Sequence, residues 1–175
     1  MANREALREL QTRLASRLQA ARTEATSVSS WLAVESAGNF YLLPLGQSGE
    51  IFPWGSVQAV PYTQRWFLGV ANLRGSLVGV VDLAGLLGFE VPRTEQALSE
   101  ASLLAFNAAL EVNAALLVDR LAGLRGTDAF VSSEPPAEDS PAFFGTTYID
   151  SGGTRWQELN LQILSQHPAF LSISA

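Results

Sequence analysis

The sequence predicts a mainly β fold of small barrels or a sandwich, built from two related lobes and preceded by an amphipathic helix. Three observations predict this class. Leucine and alanine recur at helical spacing near the start, short apolar runs alternate with turn residues afterwards, and the two halves of that second part end alike. With 175 residues and a 47% apolar share, the chain is long enough for one domain, or for one domain of two lobes, with a packed core.

Residues 3–26 are predicted to form the helix. Their apolar members recur at steps of three and four and share one stripe, while arginine and glutamate occupy the other face, where Glu9 and Arg13 form a favourable i,i+4 pair. We expect the stripe to pack on the body of the chain, as most such stripes do, with a coiled-coil or docking arm as the alternative. The stripe consists of Leu7, Leu10, Leu14, Leu18, Ala21 and Ala25.

The first half of the remaining chain has apolar runs of strand length that are rich in β-forming residues. Gly38–Asn39 and Arg74–Gly75 are tight-turn signals between such runs. A short helix is expected at 83–87, where Gly88 ends it. The predicted strands are 31–35, 40–45, 57–60, 68–72 and 77–83.

The second half repeats this pattern after a polar connector at 90–100. Residues 132–141 contain three prolines and three acidic residues and are expected to form an exposed loop. A closing helix at 159–166 is expected to stop before Pro168. Both halves therefore end in a strand that runs into a short leucine-rich helix, which suggests two related lobes. The predicted strands are 102–106, 112–119, 121–125, 129–131 and a final hairpin of 144–150 with 154–158.

The composition excludes several kinds of site and partner. The chain has no cysteine, which excludes disulfides, thiolate metal sites and cysteine nucleophiles, and His167 is its single histidine. The pI of 4.7 argues against duplex nucleic acid as a partner, because such binding needs a basic face. No stretch has the unbroken apolar length of a membrane span, and the charged N-terminal segment is unlike a secretory signal. We therefore expect a cytoplasmic protein without direct membrane insertion.

Residues that could carry catalysis are few. The sequence has no nucleophile elbow, no phosphate loop and no H-E-x-x-H zinc motif. His167 has no acidic neighbour in sequence, so a cap or surface position is expected. Asp82 and Asp119 follow strand-like runs and are expected to bond local backbone donors. We expect a protein that is not an enzyme and holds neither metal nor cofactor, with a hydrolase whose site the sequence hides as an alternative.

The four tryptophans leave another alternative open, a β-barrel that binds a small ligand or an oligonucleotide. In that case they would line an open pocket, whereas packing in the core and between lobes is the expectation for large aromatic side chains. These residues are Trp31, Trp54, Trp66 and Trp156.

The run 69–83 stands out as an apolar strand, a polar turn and a second apolar strand. Such a hairpin would hold the guanidinium of Arg74 at its tip, with Gly75 supplying the backbone freedom of the turn and Asn72 bonding the turn backbone. An arginine on a fixed turn suits a partner's carboxylates or helix carbonyls. The pattern alone favours an ordinary solvated turn arginine over a binding residue.

Several segments taken together resemble a known family. They are Leu43-Pro44-Leu45, Glu50-Ile51, Ala59-Val60-Pro61, the run 66–75, Val80-Val81-Asp82-Leu83, the run 116–121 and Phe144-Gly145. On these residues the chain is identified as a member of the CheW-like domain family, the coupling proteins of bacterial chemotaxis arrays, over residues 31–166. The leucine-rich helix and the run 48–51 make it most similar to the members that serve type IV pilus twitching motility.

The resemblance implies a mainly β fold of two SH3-like five-stranded β-barrels with a short C-terminal helix. It divides the chain into an N-terminal helix, 1–28, and a CheW-like domain, 29–175, whose two lobes intertwine around a connector near 90–100. It also implies a non-catalytic adaptor that links a methyl-accepting chemotaxis-type receptor to a CheA-type histidine kinase and is recruited to membrane-associated receptor arrays. Asn160, where the family usually has aspartate, is a departure in the second barrel.

The family's Asn-Leu-Arg-Gly element carries its receptor contact, in a groove between the barrels. Matched to this sequence, the implied receptor-binding residues are Arg74, with Asn72, Val70 and Gly75 supporting it. The kinase docks on the first barrel, and the implied kinase-binding residues are Glu50 and Ile51 in the corresponding strand region.

Overall fold

The computed structural model describes residues 2–27 and 30–175, and within the first helix it describes the side chains of residues 4–17. β-Strands make up the largest share of its regular secondary structure. Its α-helices are α1 (Ala2–Ser27), α2 (Leu83–Leu86), α3 (Glu95–Glu100), α4 (Leu161–Gln166) and α5 (Pro168–Leu171). Its strands are β1 (Ser30–Ser36), β2 (Asn39–Pro44), β3 (Ser48–Pro53), β4 (Val57–Gln58), β5 (Phe67–Leu73), β6 (Ser76–Asp82), β7 (Ser102–Phe106), β8 (Ala114–Val118), β9 (Arg120–Gly126), β10 (Phe130–Glu134), β11 (Phe144–Asp150) and β12 (Arg155–Leu159).

The strands of the described chain form two six-stranded sheets. Sheet A has the order β10-β11-β12-β2-β1-β9, and sheet B has the order β3-β7-β8-β6-β5-β4. The chain leaves sheet A after β2, builds sheet B from β3 to β8, and returns to sheet A with β9, so sheet B is inserted between two segments of sheet A along the chain. Each sheet has one more strand than the resemblance implies. Within the described residues no ladder joins the two edge strands of either sheet, so closed barrels stay a prediction.

Three apolar cores hold the sheets together, because several strands are buried on both faces. Along β1, Trp31 and Ala33 point into the core of sheet A, whereas Leu32 and Val34 point into a central core between the sheets. Along β8, Leu117 belongs to the core of sheet B, while its neighbours in sequence face the central core. Strands covered on both sides read as continuous apolar runs, as the sequence does here. The central core thus fixes one sheet against the other.

The elements that apolar periodicity predicts are confirmed, and the differences have local causes. Residues 132–134, expected in a loop, extend β10 because their backbone pairs with 147–149 of β11. Helix α3 lies inside the connector and is capped by Thr94, whose Oγ1 accepts a hydrogen bond from the backbone N–H of Ala97 at 3.1 Å. Helix α4 ends before Pro168 as expected, but Pro168 also opens α5, since the first helical turn tolerates proline. His167 caps that turn through Nδ1, as a cap position predicts.

The described members of the leucine stripe of α1 do not pack on the body of the chain, so the expectation is wrong for Leu7, Leu10 and Leu14. Leu7, Leu10 and Leu14 are 58%, 57% and 54% exposed. All side chains of residues 4–17 are exposed, including Arg13, which pairs with Glu9 across 3.4 Å as predicted. Periodicity shows that a stripe exists and not what covers it. The side chains of the other stripe members, Leu18, Ala21 and Ala25, lie outside the described residues.

Candidate partner-binding surface

The turn between β5 and β6 holds Arg74 at the tip of a tight hairpin. Leu73 pairs with Ser76, which leaves Arg74 and Gly75 as a two-residue turn with φ angles of 50° and 80°. Two successive left-handed residues define the turn type that best matches the twist of a hairpin. The backbone N–H of Gly75 donates to Oδ1 of Asn72 at 2.8 Å, as the sequence predicted. The turn therefore presents the arginine side chain from a fixed backbone.

The guanidinium of Arg74 meets a single carboxylate. Its Nη2 lies 2.6 Å from Oε1 of Glu50, and the two side chains are 75% and 44% exposed. Glu50 lies on β3, at the edge of sheet B, whereas β5 and β6 lie beyond β7 and β8. The contact therefore requires the sheet to curl until the hairpin tip reaches the edge strand. It joins a predicted receptor-binding residue to a predicted kinase-binding residue, which the sequence did not indicate.

An ion pair this exposed contributes little to stability, about 0–1 kcal/mol. A partner carboxylate or a helix carbonyl could replace Glu50 at small cost, because both groups already contact water. The guanidinium of Arg74 thus remains available to bind a partner.

The face of the hairpin beside Arg74 is continuous with the central core. Val70 lies opposite Gly79, and Asn72 lies opposite Leu77. Opposite residues share a face, and so do alternate residues along a strand, which places these four on the same face as Val81 of the central core. Near the tip this face is uncovered, and Leu77 is exposed. We call Val70, Asn72, Arg74 and Leu77 the hairpin surface.

Leu77 was missed as a candidate residue, although its position could have been derived. The two-residue turn fixes the register of the hairpin, and that register places residue 77 opposite Asn72. An apolar side chain opposite a predicted contact residue is the signal that the motif alone does not contain.

The two predicted kinase-binding residues lie on β3 next to each other, and both are exposed. Ile51 pairs with Leu104 of β7, after an irregularity in the ladder between Ser48 and Ile51. At Gly49 a Cβ atom would lie 2.7 Å from the carbonyl oxygen of Phe106, so only glycine fits this close approach. The irregular edge strand thus presents Glu50 beside an apolar side chain.

Two clefts of the described chain lie away from the hairpin surface. The first, of about 790 Å³, is lined among others by Trp66, Arg65 and Phe89. The second, of about 700 Å³, lies between the β1–β2 turn, the β11–β12 hairpin and the segment after α2. Residues 70–75 line neither of these two clefts. The hairpin surface is therefore an exposed tip with an apolar flank, outside both of these clefts.

A buried charge cluster ties the two sheets together behind these surfaces. The guanidinium of Arg93 donates from Nε and Nη2 to the two carboxylate oxygens of Asp82, at 2.9 and 2.6 Å, and from Nη1 to Asp119. Hydrogen bonding to Asp82 is the main reason that the pKa of Arg93 is raised. The other oxygen of Asp119 accepts the backbone N–H of Ala37 at 2.8 Å, in the β1–β2 turn.

The outcome for the two aspartates is mixed. Asp119 bonds a backbone donor, but this N–H belongs to Ala37, 82 residues away in sequence, and is not the local donor expected; the side chain of Asp82 pairs with Arg93 and not with the backbone. Arg93 lies in the polar connector, where no periodic pattern marks it. Because Asp82 ends β6 and Asp119 directly precedes β9, the cluster bridges sheet B and the point where the chain re-enters sheet A.

The tryptophans are largely packing residues. Trp31 and Trp156 are buried in the core of sheet A, and Trp54 packs against the core of sheet B. The indole N–H of Trp156 donates to Asp150 at 3.1 Å and thereby lowers the pKa of that carboxyl. Trp66 alone of the four lines one of the two clefts. Neither of these two clefts is therefore a pocket lined by several tryptophans.

Tyr41, in the central core, should make the free energy of unfolding depend on pH in the alkaline range. Its ring is buried, and burial raises the pKa of its phenol from 10.0 to about 12. Between these values the unfolded chain loses a proton that the folded chain keeps, so stability falls as the pH rises. At pH 11 we expect Tyr41 to lower the free energy of unfolding by about 1.4 kcal/mol relative to pH 9.

Urea denaturation at both pH values tests this expectation with two variants. Tyr41→Phe should remove about that share of the pH dependence, because its ring cannot ionise. Tyr62→Phe removes the hydroxyl of an almost fully exposed ring and should leave the dependence unchanged. If the free energy of unfolding changed equally between pH 9 and pH 11 in wild type and in Tyr41→Phe, the burial argument would be contradicted.

Two features are absent from the described residues. No three histidine, cysteine, aspartate or glutamate side chains in this part of the chain cluster in a way that could hold a metal ion. None of its helices combines the length and the apolar character that a crossing of the bilayer requires.

Comparison with known proteins gives three findings. A family model described as the CheW-like domain matches residues 30–168. Protein PilI of Pseudomonas aeruginosa is 30% identical over 154 residues, which cover 85% of this chain and 83% of PilI. The crystal structure of the scaffolding protein TtCheW from Thermoanaerobacter tengcongensis is similar in fold, with a TM-score of 0.67 at 19% identity, over 81% of this chain and 95% of that one.

Proposed function

The chain belongs to the CheW-like domain family, and on this premise we propose that it is a non-catalytic coupling adaptor linking a methyl-accepting chemotaxis-type receptor to a CheA-type histidine kinase. The observation that carries the proposal is the exposed Arg74, held on a fixed turn beside an apolar flank. An adaptor needs such prearranged surfaces, because it acts by binding two partners at once. The similarity to PilI supports a role in the pathway that controls type IV pilus twitching motility.

The hairpin surface is our candidate receptor site. A helical receptor tip offers an apolar face together with carboxylates or carbonyls at the helix end, and helices commonly bind through an apolar face with a few polar anchors. Leu77 and Val70 would contact the apolar face, while Arg74 would form hydrogen bonds to the polar end. Asn72 and Gly75 act indirectly, because they fix the turn that orients the arginine.

The exposed edge strand β3 is our candidate kinase site. Glu50 and Ile51 are neighbours there and offer one charge and one apolar side chain. Since Glu50 also pairs with Arg74, the two candidate sites are adjacent on sheet B. One adaptor molecule would thus hold both partners close to each other.

Three finer features belong to the same proposal. Residues 1–28 would be a separate helical arm, and residues 29–175 would be the adaptor domain with its two intertwined lobes. Each lobe would work as an SH3-like barrel, which the curl of sheet B that brings Arg74 to Glu50 supports. The protein would act where the receptors are, recruited to their arrays at the membrane without inserting into it.

Co-sedimentation tests the proposal directly. Membranes that contain the receptor are mixed with the kinase, with and without the purified full chain, and the kinase in the pellet is measured. We expect several-fold more kinase in the pellet when the chain is present, and the chain itself should sediment with the membranes. Equal kinase in both pellets would refute coupling, and turnover of a substrate by the pure protein would refute the non-catalytic role.

A further inference from the structure

The described part of the stripe on α1 is exposed and lies outside the candidate receptor and kinase sites. Leu7, Leu10 and Leu14 are more than half exposed. At 3.6 residues per turn they fall within an arc of about 60°, so they form one apolar strip along the helix. The helix backbone continues to Ser27, about 39 Å from end to end, and is long enough to lie along another helix.

The charges beside this strip are arginines on both edges. On the helical projection Arg4 lies beside one edge, Arg13 and Arg17 lie beside the other, and Arg8 and Glu9 lie farther from the strip, one on each side. Glu5 lies on the opposite face. Among residues 4–17, Arg13 is the one arginine that has an ion pair, with Glu9. The strip is thus bordered by positive charge that is largely uncompensated within the described residues.

We propose that α1 binds an amphipathic helix of another protein, whose apolar face is bordered by glutamate or aspartate. Charged residues beside an apolar seam decide which helices pair, because opposite charges attract across the seam and like charges repel. Acidic borders on the partner would meet arginine on both edges of the strip. The proposal does not rest on the coupling function, because it concerns a different element and a different surface.

A second copy of this chain fits the strip poorly. Two α1 helices facing each other would bring arginine edges against arginine edges, in a parallel as well as an antiparallel arrangement. Like charges at such positions disfavour pairing of identical helices. The charge pattern therefore selects a different helix.

An anionic membrane surface also fits less well than an acidic helix. Interfacial helices usually anchor with aromatic as well as aliphatic residues, and residues 2–27 contain no aromatic residue. In addition, the rest of the chain carries six arginines against fourteen acidic residues, so an anionic surface would repel it.

The spacing of the strip specifies the probe for a test. In the sequence the apolar positions repeat after eleven residues, since Leu18, Ala21 and Ala25 follow Leu7, Leu10 and Leu14 at that distance. A synthetic fluorescent helix with leucines at the same three-four-four spacing and glutamates along both edges would match this repeat. A second peptide carries lysine in place of each glutamate and is otherwise identical.

Fluorescence anisotropy of each peptide, titrated with the full chain, measures binding. We expect the glutamate peptide to bind and the lysine peptide not to bind, with an affinity that falls as salt is raised from about 0.05 M to about 0.5 M. The triple variant Leu7→Ala, Leu10→Ala and Leu14→Ala should lose at least about tenfold in affinity, while alanine preserves helix propensity. Glu5→Gln, on the opposite face, is the matched control and should bind as wild type does.

Four results would overturn the proposal. They are equal binding of both peptides, failure of the glutamate peptide to bind, undiminished binding by the triple variant, and a dimer of the full chain in analytical ultracentrifugation that the triple variant abolishes. Capture of the chain by phosphatidylglycerol vesicles without binding of the glutamate peptide would assign the strip to a lipid surface instead. Because the receptor and the kinase are absent from these experiments, the result is independent of the coupling proposal.

Discussion

Replacing Arg93 by alanine is expected to lower the free energy of unfolding by about 3–5 kcal/mol, because it leaves the carboxylate of Asp82 buried without its cation. In the folded protein the two side chains are 12% and 8% exposed, and Arg93 forms two hydrogen bonds to Asp82 and a third to Asp119. Urea denaturation at neutral pH measures the change. Among variants of this cluster, the loss of stability should be largest when Arg93 is removed and both aspartates are kept.

Two further variants distinguish the effect of losing a buried charge from the effect of losing any charge. Arg155 forms an exposed pair with Glu134, so Arg155→Ala should cost much less than Arg93→Ala. Combining Arg93→Leu with Asp82→Leu removes both partners of the main pair and should recover part of the loss, since replacing a buried pair by apolar residues is often nearly neutral. A cost of Arg93→Ala as small as that of Arg155→Ala would show that water enters the cluster.

Much of the fold could be predicted because burial on alternating or on both faces leaves a readable pattern. The fully buried run of β8 is apolar at every position from Ala114 to Val118, and it reads as a strand without any tertiary knowledge. Strand β3 has no such pattern in Ser48, Gly49 and Glu50. It exists because its backbone pairs with β7, and pairing between distant segments leaves no mark in the local sequence.

The candidate site likewise has one part that the local sequence predicts and another that depends on long-range contacts. The hairpin tip follows from local chemistry, since Asn72 and Gly75 define a turn on their own. The contact between Arg74 and Glu50 depends on how far sheet B curls, which no short motif encodes. Likewise the stripe of α1 was recognisable from sequence, but whether the body covers it depends on tertiary structure, and our expectation was wrong for Leu7, Leu10 and Leu14.

Replacing Arg74 by alanine is expected to weaken receptor binding by about 30-fold, equivalent to about 2 kcal/mol, with little effect on the fold. A central arginine at an interface loses several directional hydrogen bonds when truncated. Stability should change by less than about 1 kcal/mol, because the side chain is 75% exposed and its pair with Glu50 lies at the surface. The left-handed backbone is equally demanding for arginine and alanine, so the strain of the turn is unchanged.

Three measurements with isolated receptor tip make this expectation specific. Arg65→Ala removes another exposed arginine, which lies 4.0 Å from Glu90, and should bind receptor as wild type does. Arg74→Lys keeps the charge but loses the planar fork, so an intermediate affinity would indicate that hydrogen-bond geometry contributes beyond charge. Leu77→Ala should also weaken binding if the apolar flank of the hairpin contacts the receptor. Wild-type affinity in Arg74→Ala, at unchanged stability, would place the receptor on another surface and leave the hairpin as an ordinary solvated turn.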